Sequence, residues 1–391
     1  MNTRTSSFLI LLLFLSVPPV FHSGAQEAAP AAPENAAPAP STEPTSKNNA
    51  RLKQALQAFP QADTNRDGVL TLEEARPIAA MLGISADDLK AQVEQGPLAP
   101  RESNVAYGPD PRQVLDFWKP ESSGPAPVVV LIHGGGFKYG SKADLPKVLG
   151  PLIAGLLKNG IAVASINYRL VRTAPLQESL RDGARAVQFL RSKSNDWNLD
   201  KNHIGAIGGS GGAGMSLWLA TRDDLADPSS SDPVLKESSR VGPIILMETQ
   251  ATYNFPRWES YMGKAEFPPT PGSAAAMFHL AGDADLETPA GQALLREVDM
   301  LEWIGPGEGP VLAVLTRYGA GRPDTNTSWD AYVHSSKHAK EIKRVCDEKG
   351  SVCEITADKS AMLPFLLKTL KPGAGPPQQA TVPPGAPVPS G

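Results

Sequence analysis

The chain has 391 residues, of which 41% are hydrophobic, and its 37 Lys and Arg against 41 Asp and Glu leave a formal net charge of −4. This composition is typical of a globular protein with a sizeable core, and the length suits one large domain with additions, or two domains. Nucleic-acid-binding proteins usually carry a basic stripe, and this sequence has none, so nucleic acid is excluded as a partner. Fibrous and coiled-coil classes are excluded by 35 glycines, 38 prolines and the lack of a heptad repeat.

The N-terminal segment has the pattern of a secretory signal peptide. Arg4 precedes an apolar run over 8–17, and positions 23–25 hold the small residues that a cleavage site requires. The apolar run is shorter than the ~20 residues that span a bilayer. We therefore expect a signal peptide over 1–25, a secreted or periplasmic protein, and no stable membrane insertion after the signal is removed.

Two segments carry too little apolar surface to build a core. Residues 26–47 are mostly Ala, Pro, Ser, Thr and Glu, and residues 372–391 are mostly Pro, Gly, Ala and Gln. Such compositions form extended spacers. We expect a linker over 26–47 and a disordered, proline-rich tail over 372–391.

The two cysteines, Cys346 and Cys353, lie on either side of a turn where a helix is expected to lead into a strand. In an oxidising compartment these thiols would pair and staple the turn, and export favours that expectation. The alternative is two free, buried thiols.

Residues 63–74 match the twelve-residue EF-hand loop at every position. Oxygen-bearing side chains occupy positions 1, 3, 5 and 9, glycine occupies position 6, and glutamate closes the loop at position 12. A hard divalent cation takes about six to eight oxygen ligands, which this spacing supplies. The pattern predicts a calcium site with the ligands Asp63, Asn65, Asp67, Val69 (through its carbonyl), Thr71 and Glu74.

Apolar residues repeat at helical spacing on both sides of this loop, so a small helical EF-hand segment is expected over 48–95. EF-hands usually pair, and no second loop is found between residues 84 and 101. An unpaired site is expected to bind calcium weakly, with a dissociation constant of about 10⁻⁴–10⁻³ M, which suits a structural role outside the cell.

From residue 104 onward, patterns typical of strands alternate with patterns typical of helices. Such alternation predicts a mainly parallel sheet covered on both faces, within one α/β domain over 104–371. The strand-like runs are 114–117, 128–133, 161–168, 203–208 and 242–247.

Two glycine-rich turns follow strands in this domain. His133 opens the first turn and three glycines follow it, so backbone N–H groups can converge on a developing oxyanion. The second turn places Ser210 between pairs of glycines before a helix, which is the pattern of a nucleophile elbow. The predicted oxyanion donors are the N–H groups of Gly134, Gly135 and Gly211.

With these motifs the chain resembles the α/β-hydrolase superfamily, specifically the HGGG esterases related to hormone-sensitive lipase and the secreted esterases of the feruloyl and acetyl-xylan type. The resemblance covers 104–353, with 251–310 poorly matched. It implies an α/β-hydrolase fold and cleavage of a small-molecule or polysaccharide-linked ester. The segments that carry the likeness are 113–118, 133–137, 166–170, 182, 184–190 and 197–212.

The base that would activate Ser210 is not where this superfamily places it. The histidine normally follows the last strand, expected here over 351–356, and no histidine follows that segment. His334 is the best remaining candidate. Its alternative role is that of a partly exposed histidine on a helix, one turn from His338.

Two positions are open for the carboxylate that orients the base. If 311–317 is the strand that presents the acid, the loop after it holds Asp324 and Asp330. If 277–285 is instead the acid-bearing strand and loop, the acid is Asp285. The first arrangement is favoured because the second segment is poor in β-branched residues. The predicted catalytic residues are Ser210, Asp324 and His334.

Two functions from different classes remain open. The first is an exported serine hydrolase that cleaves a carboxylic ester through an acyl-enzyme on Ser210, with a cap over 251–310 whose residues Trp258, Tyr261 and Met262 either line the substrate pocket or pack in the core. The second is a catalytically impaired, hydrolase-like binding or scaffold module stabilised by calcium. The missing histidine favours the scaffold, and the intact elbow favours the enzyme.

Overall fold

The computed structural model describes residues 43–49, 52–53, 55–56, 59–81, 86–95, 98–265, 273–315 and 328–370. The chain divides into two compact units, Met1–Pro97 and Leu98–Gly391. The expected signal peptide, the tail over 372–391 and residues 26–42 of the expected linker lie outside the described residues.

The described part of the first unit is helical. A single 3-10 turn (Pro60–Ala62) precedes the loop over 63–74, which leads into helix α1 (Leu72–Met81) and then α2 (Ala86–Gln95). Glutamates at the start of α1 favour helix formation there, because negative charge is stabilised by the N-terminal end of the helix dipole. The core of the unit includes the buried side chains of Leu52, Ala62, Leu70, Ala75 and Val93.

The second unit is built on an eight-stranded sheet with the order β1-β2-β4-β3-β5-β6-β7-β8. Strand β2 is antiparallel to both of its neighbours, and the other strands pair in parallel. The strands are β1 (Glu102–Ala106), β2 (Val114–Trp118), β3 (Ala126–Ile132), β4 (Ala162–Ile166), β5 (Leu199–Gly209), β6 (Ile244–Met247), β7 (Val311–Val314) and β8 (Cys353–Thr356).

Helices of this unit connect the strands. Most residues of α5 are buried, because this crossover helix packs against both β5 and α7. The helices are α3 (Asp144–Val148), α4 (Gly150–Lys158), α5 (Leu176–Ser192), α6 (Ser194–Trp197), α7 (Gly211–Thr221), α8 (Trp258–Met262), α9 (Ser273–Met277), α10 (Pro289–Glu297), α11 (Met300–Trp303), α12 (Trp329–Val333), α13 (Ser336–Lys349) and α14 (Met362–Thr369).

The central strands contribute to two hydrophobic cores, one on each face of the sheet. Val128, Val130 and Ile132 of β3 belong to the larger core. Val129 and Leu131 of the same strand belong to the other. Successive side chains of a strand point to opposite faces, so a strand covered on both faces must be apolar throughout, and all seven residues of β3 are buried.

The predicted mainly parallel α/β architecture is confirmed. The five strand-like runs correspond to β2 through β6, and the segments expected to form the last two strands contain β7 and β8. Within the described ranges, no helix has the length and apolar character that crossing a bilayer requires.

Two expectations are corrected. Residues 277–285 do not form a strand and loop: α9 ends at Met277, and a 3-10 helix covers Asp283–Glu287. The alternative acid assignment therefore loses its strand. Cys346 and Cys353 are buried free thiols rather than a disulfide. Hydrogen bonding with Cys346, together with burial, raises the pKa of the Cys353 thiol, so this thiol stays protonated.

Candidate active site

Ser210 occupies the sharp turn between β5 and α7. Its backbone has φ 49° and ψ −118°, a conformation that non-glycine residues rarely adopt. Crowding explains the glycines on both sides. A Cβ on Gly208 would lie 2.0 Å from Gly212 O, and a Cβ on Gly212 would lie 2.0 Å from Ile132 O. The turn therefore requires glycines at these positions, as a nucleophile elbow does.

The structure brings His334 to this serine. Ser210 Oγ lies 2.8 Å from His334 Nε2, across 124 positions of sequence. On the other side of the ring, His334 Nδ1 lies 2.9 Å from Asp330 Oδ1. A proton on Nδ1 is held by the carboxylate, which leaves Nε2 free to accept the proton of the serine hydroxyl. Both groups come from the α12 segment, which lies between β7 and β8 in the chain.

The carboxylate beside His334 belongs to one of the two aspartates that the sequence places in the loop after β7. Asp324 lies outside the described residues, and the carboxylate next to His334 is Asp330, four residues earlier along α12. Asp285 instead accepts hydrogen bonds from the N–H groups of Ala281 and Gly282, at 3.0 and 3.2 Å. A spacing of four residues places two side chains on one helix face, and this sequence signal favours Asp330.

The glycine-rich loop after β3 lies against the elbow. A Cβ on Gly134 would lie 2.7 Å from Gly209 O and 3.2 Å from Ser210 Cβ. Gly135 has φ 101°, and a Cβ there would lie 2.5 Å from Tyr139 O. On the other side of the turn, a Cβ on Gly211 would lie 3.2 Å from the Phe137 ring. The segments that hold the three predicted oxyanion donors are thus in direct contact around Ser210.

His133 supports this loop. Its ring stacks on Tyr168 with centroids 4.3 Å apart, and Tyr168 Oη donates to His133 O at 2.8 Å. Burial lowers the pKa of His133 to about 4, so the ring is neutral at pH 7, and Nδ1–H donates to Gly134 O at 2.8 Å. Arg112 links Tyr168 to the glycine-rich loop, because it donates to Tyr168 O at 2.8 Å and to Gly140 O at 3.0 Å.

The other described histidines have different partners. His203 Nδ1 lies 2.6 Å from Asp200 Oδ2, and His279 Nε2 donates to Val171 O at 2.6 Å. His338 is fully buried. Among the described residues, therefore, His334 is the imidazole in contact with the serine hydroxyl.

Part of the segment expected to form a cap packs as core. Trp258 and Met262 are buried in a small cluster with Tyr332, and Tyr261 is only partly exposed. Packing, rather than lining of a pocket, accounts for Trp258 and Met262. Trp329, which is 47% exposed, stacks on Trp258 at a centroid distance of 6.3 Å.

An open cleft of about 590 Å³ lies elsewhere in this unit, near α10, α11 and the C-terminal half of α13. Two ion pairs lie along it: Arg257 Nη1 lies 2.8 Å from Asp299 Oδ2, and Arg344 contacts Glu348. Ser210 is not among its lining residues, so this cleft is not the site of the chemistry described above.

In the first unit, the loop over 63–74 turns its oxygen-bearing side chains inward. The Asp63 carboxylate accepts the N–H groups of Asp67 and Gly68, at 3.2 and 2.9 Å. Asn65 Oδ1 accepts the N–H of Asp67 at 2.9 Å, and Asp67 Oδ1 accepts that of Val69 at 2.8 Å. Gly68 has φ 76°, the left-handed turn for which the sequence pattern calls.

The closing glutamate reaches across the same loop. Glu74 accepts the hydroxyl groups of Thr71 at 2.8 Å and Thr64 at 3.1 Å, and hydrogen bonds from Thr71 lower the pKa of this carboxyl. Within the described ranges, no three His, Cys, Asp or Glu side chains gather into a metal-binding group. A calcium ion at this loop would have to be held by a mixed set of carboxylate, amide, hydroxyl and carbonyl oxygens.

The backbone N–H and carbonyl of Leu70, at position 8 of this loop, find hydrogen-bond partners in the segment that precedes the loop. Leu70 N–H donates to Ser46 Oγ at 2.9 Å, and Leu70 O accepts the N–H of Ser46 at 2.9 Å. Asn49 Nδ2 donates to Val93 O at 2.7 Å, which ties the same upstream segment to α2. The segment over 43–49 thus contacts the loop through Ser46 and α2 through Asn49.

Part of this chain is similar in sequence to known esterases. Residues 115–245 match the BD-FAE family model. A probable isoprenylcysteine alpha-carbonyl methylesterase of Arabidopsis thaliana is 27% identical over 139 residues, which is 35% of this chain and 28% of that protein. The esterase LipC of Mycobacterium tuberculosis is 28% identical over 184 residues, which is 43% of this chain and 42% of that protein. The similarity thus spans less than half of either relative.

Two solved structures share the fold. A truncated form of a carbohydrate esterase from gut microbiota has a TM-score of 0.53 at 17% identity and covers 68% of this chain and 95% of that one. A bifunctional GH43-CE protein of Bacteroides eggerthii has a TM-score of 0.51 at 17% identity and covers 69% of this chain and 38% of that one. With the strand order and the elbow, these likenesses define an α/β-hydrolase fold, as the sequence predicts.

Proposed function

We propose that this chain is a serine hydrolase that cleaves carboxylic esters through an acyl-enzyme on Ser210. The observation that carries the proposal is the 2.8 Å contact between Ser210 Oγ and His334 Nε2. A carboxylate on the far side of the ring, Asp330, orients the base as the chemistry requires. The match of residues 115–245 to the BD-FAE family model and the esterase relatives support the same reaction class.

In the first half of the reaction, His334 Nε2 takes the proton of Ser210 as Oγ attacks the ester carbonyl carbon. The N–H groups of Gly134, Gly135 and Gly211 stabilise the oxyanion that develops. Removing a single donor of this kind typically costs about 10²–10³ in kcat. The imidazolium then protonates the departing alcohol, and the acyl group stays on Ser210.

In the second half, water attacks the acyl-enzyme and His334 accepts its proton. The collapse of the second tetrahedral intermediate releases the acid, and the proton returns from Nε2 to the serine. Asp330 stabilises the imidazolium in both halves. The proposed substrate is a small-molecule or polysaccharide-linked ester, and the esterase relatives and the carbohydrate esterase of similar fold support this class.

The alternative of an impaired scaffold rested on the lack of a histidine after the last strand. The contact between Ser210 and His334 supplies an imidazole from the preceding connection instead. A strained elbow costs about 1–3 kcal/mol, and catalysis gives a physical reason for retaining it.

A calcium ion and export complete the proposal. The loop over 63–74 would hold a structural calcium ion through the predicted ligands, and the inward hydrogen bonds of their oxygens support that assignment. The signal-like pattern over 1–25 supports a secreted or periplasmic location.

The test of the enzyme compares the wild type with Ser210→Ala and His334→Ala on short-chain p-nitrophenyl esters. We expect each variant to lose about 10³-fold or more in kcat/KM, because the two residues act as a unit. A phosphonate ester should add to the wild type at Ser210, as located by mass spectrometry of peptides.

His203→Ala is the matched control, because His203 also pairs with an aspartate but lies away from the serine. It should retain the wild-type rate. Equal hydrolysis by wild type, Ser210→Ala and His334→Ala would refute the enzyme and support the scaffold.

A further inference from the structure

Gln250 and His338 are among the polar residues of the second unit that are buried outside the catalytic contacts, and each is 3% exposed or less. Gln250 follows β6, and His338 lies in the first turn of α13. Buried polar groups are costly unless they are hydrogen-bonded, so their hydrogen-bond partners show which groups these side chains hold in place.

Two of these side chains converge on the end of helix α12, which leads directly into His334. The last carbonyls of a helix have no partner within it. Here Val333 O accepts from Gln250 Nε2 at 2.9 Å, and Tyr332 O accepts from His338 Nε2 at 3.2 Å. Both carbonyls immediately before the base are therefore held by side chains from outside the helix.

The tautomer of His338 follows from these contacts. Nε2–H donates to Tyr332 O, so Nδ1 is an acceptor, and it receives the N–H of Ala251 at 3.3 Å and the hydroxyl of Tyr261 at 3.0 Å. Burial raises the pKa of Tyr261, which keeps that hydroxyl protonated. The ring also packs edge-on against Trp258, with centroids 4.6 Å apart.

The nucleophile is tied to the same stretch of backbone. Ser210 N–H donates to Met247 O at 2.8 Å, at the end of β6. Gln250 and Ala251, three and four residues later, make the contacts to Val333 and His338. Residues 247–251 thus contact the backbone of the serine on one side and the segment that carries the base on the other.

We propose that Gln250 and His338 are positioning residues that set the distance between His334 and Ser210. This inference rests on the proposed esterase function. The usual base follows the last strand, whereas His334 lies on a connection before β8. Its placement therefore depends on a brace of its own, which consists of the hydrogen bonds from Gln250 to Val333 O and from His338 to Tyr332 O. A misplacement of about 1 Å can cost about 10²-fold in rate, which is why such a brace matters.

The experiment uses the full chain with Gln250→Leu, which removes the amide donor at similar volume. We expect kcat per active site to fall about 10- to 100-fold, with KM near the wild-type value. Active sites are counted by titration with the phosphonate ester, so a loss of folded protein lowers the count and leaves kcat per site unchanged.

Gln188→Leu is the matched control. Gln188 is equally buried and donates to the carbonyls of Leu225, Leu235 and Glu237, at 3.3, 3.4 and 2.9 Å. None of these residues contacts the base, so the control should lower stability without lowering kcat per site. Equal effects of Gln188→Leu and Gln250→Leu on kcat per site would overturn the proposal.

A second variant covers the case in which Gln250→Leu does not fold. His338→Gln keeps a donor near the Nε2 position, and it should lose less kcat per site than His338→Leu. The reverse order, or no difference, would count against the brace.

An NMR arm separates this inference from the proposed function. The imidazole resonances of His334 should shift in Gln250→Leu and stay unchanged in Gln188→Leu, whether or not the chain hydrolyses an ester. If the wild type proves inactive, the function fails while this measurement still decides the placement of the ring. Unchanged His334 resonances in Gln250→Leu would refute the inference alone.

Discussion

Replacing Asp330 by asparagine should lower kcat about 10- to 100-fold and leave KM unchanged. The carboxylate lies 2.9 Å from His334 Nδ1, but its side chain is 49% exposed. Two unit charges about 4 Å apart interact by about 1 kcal/mol in water and about 4 kcal/mol in the environment typical of a protein surface. Each ~1.4 kcal/mol changes the rate tenfold, so a half-exposed pair corresponds to the stated range.

A second acceptor limits the loss. The backbone carbonyl of Asp330 lies 3.1 Å from His334 Nδ1, so the ring keeps a partner for its Nδ1 proton in Asp330→Asn. A fully buried catalytic aspartate costs about 10⁴-fold on the same substitution, because the wrong tautomer results. The smaller expected loss is thus specific to this geometry.

The assay is steady-state hydrolysis of p-nitrophenyl acetate at pH 7, with kcat and KM determined separately for each variant. Asp285→Asn is the control, since Asp285 accepts only backbone N–H groups of its own turn in the described contacts. Wild-type kcat in Asp330→Asn, together with a large loss in Asp324→Asn, would refute the assignment and restore the acid predicted from sequence.

Three further predictions follow from the structure. Gly134→Ala should lower kcat about 10²-fold or more in the same assay, because the added Cβ would lie 2.7 Å from Gly209 O and displace an oxyanion donor; wild-type kcat would contradict this. Calcium at about 100 times its dissociation constant should stabilise the first unit by about 2.7 kcal/mol, measured by thermal unfolding. Asp63→Ala should abolish this stabilisation, and the control Asp87→Ala on α2 should keep it. Stabilisation retained in Asp63→Ala would contradict the calcium site. Burial lowers the pKa of His133 from 6.5 to about 4, so between these pH values the unfolded state binds a proton that the folded state does not, and the free energy of unfolding should fall by up to about 3 kcal/mol as the pH falls from 6.5 toward 4. In urea unfolding, His133→Asn should show a weaker dependence of this free energy on pH than the wild type. The same pH dependence in both proteins would contradict the role of His133.

The position of His334 before the last strand, rather than after it, has a structural basis in the sheet. Strand β5, which carries Ser210, lies beside β6, and β7 follows β6. In a parallel sheet the C-terminal ends of neighbouring strands lie at one edge, so a connection after β7 can reach the serine as readily as one after β8. His334 makes use of this proximity.

What the sequence by itself determined are the features whose physical demands are local. The elbow and the glycine-rich loop need glycines at fixed positions because a Cβ there would collide with nearby backbone, and such demands are written in contiguous residues. Likewise, the all-apolar run of β3 predicts a strand covered on both faces, and the structure confirms it.

Only the tertiary structure decided which distant groups meet. Ser210 and His334 are 124 residues apart, and no local pattern distinguishes His334 from His279 or His338 as the partner of the hydroxyl. The contact between Gln250 and Val333 likewise depends on which segments lie side by side, whereas Asp330 and His334 are four residues apart on one helix face. The physical reason is that strand order arises from the packing of the whole sheet, whereas a turn is specified by the residues that form it.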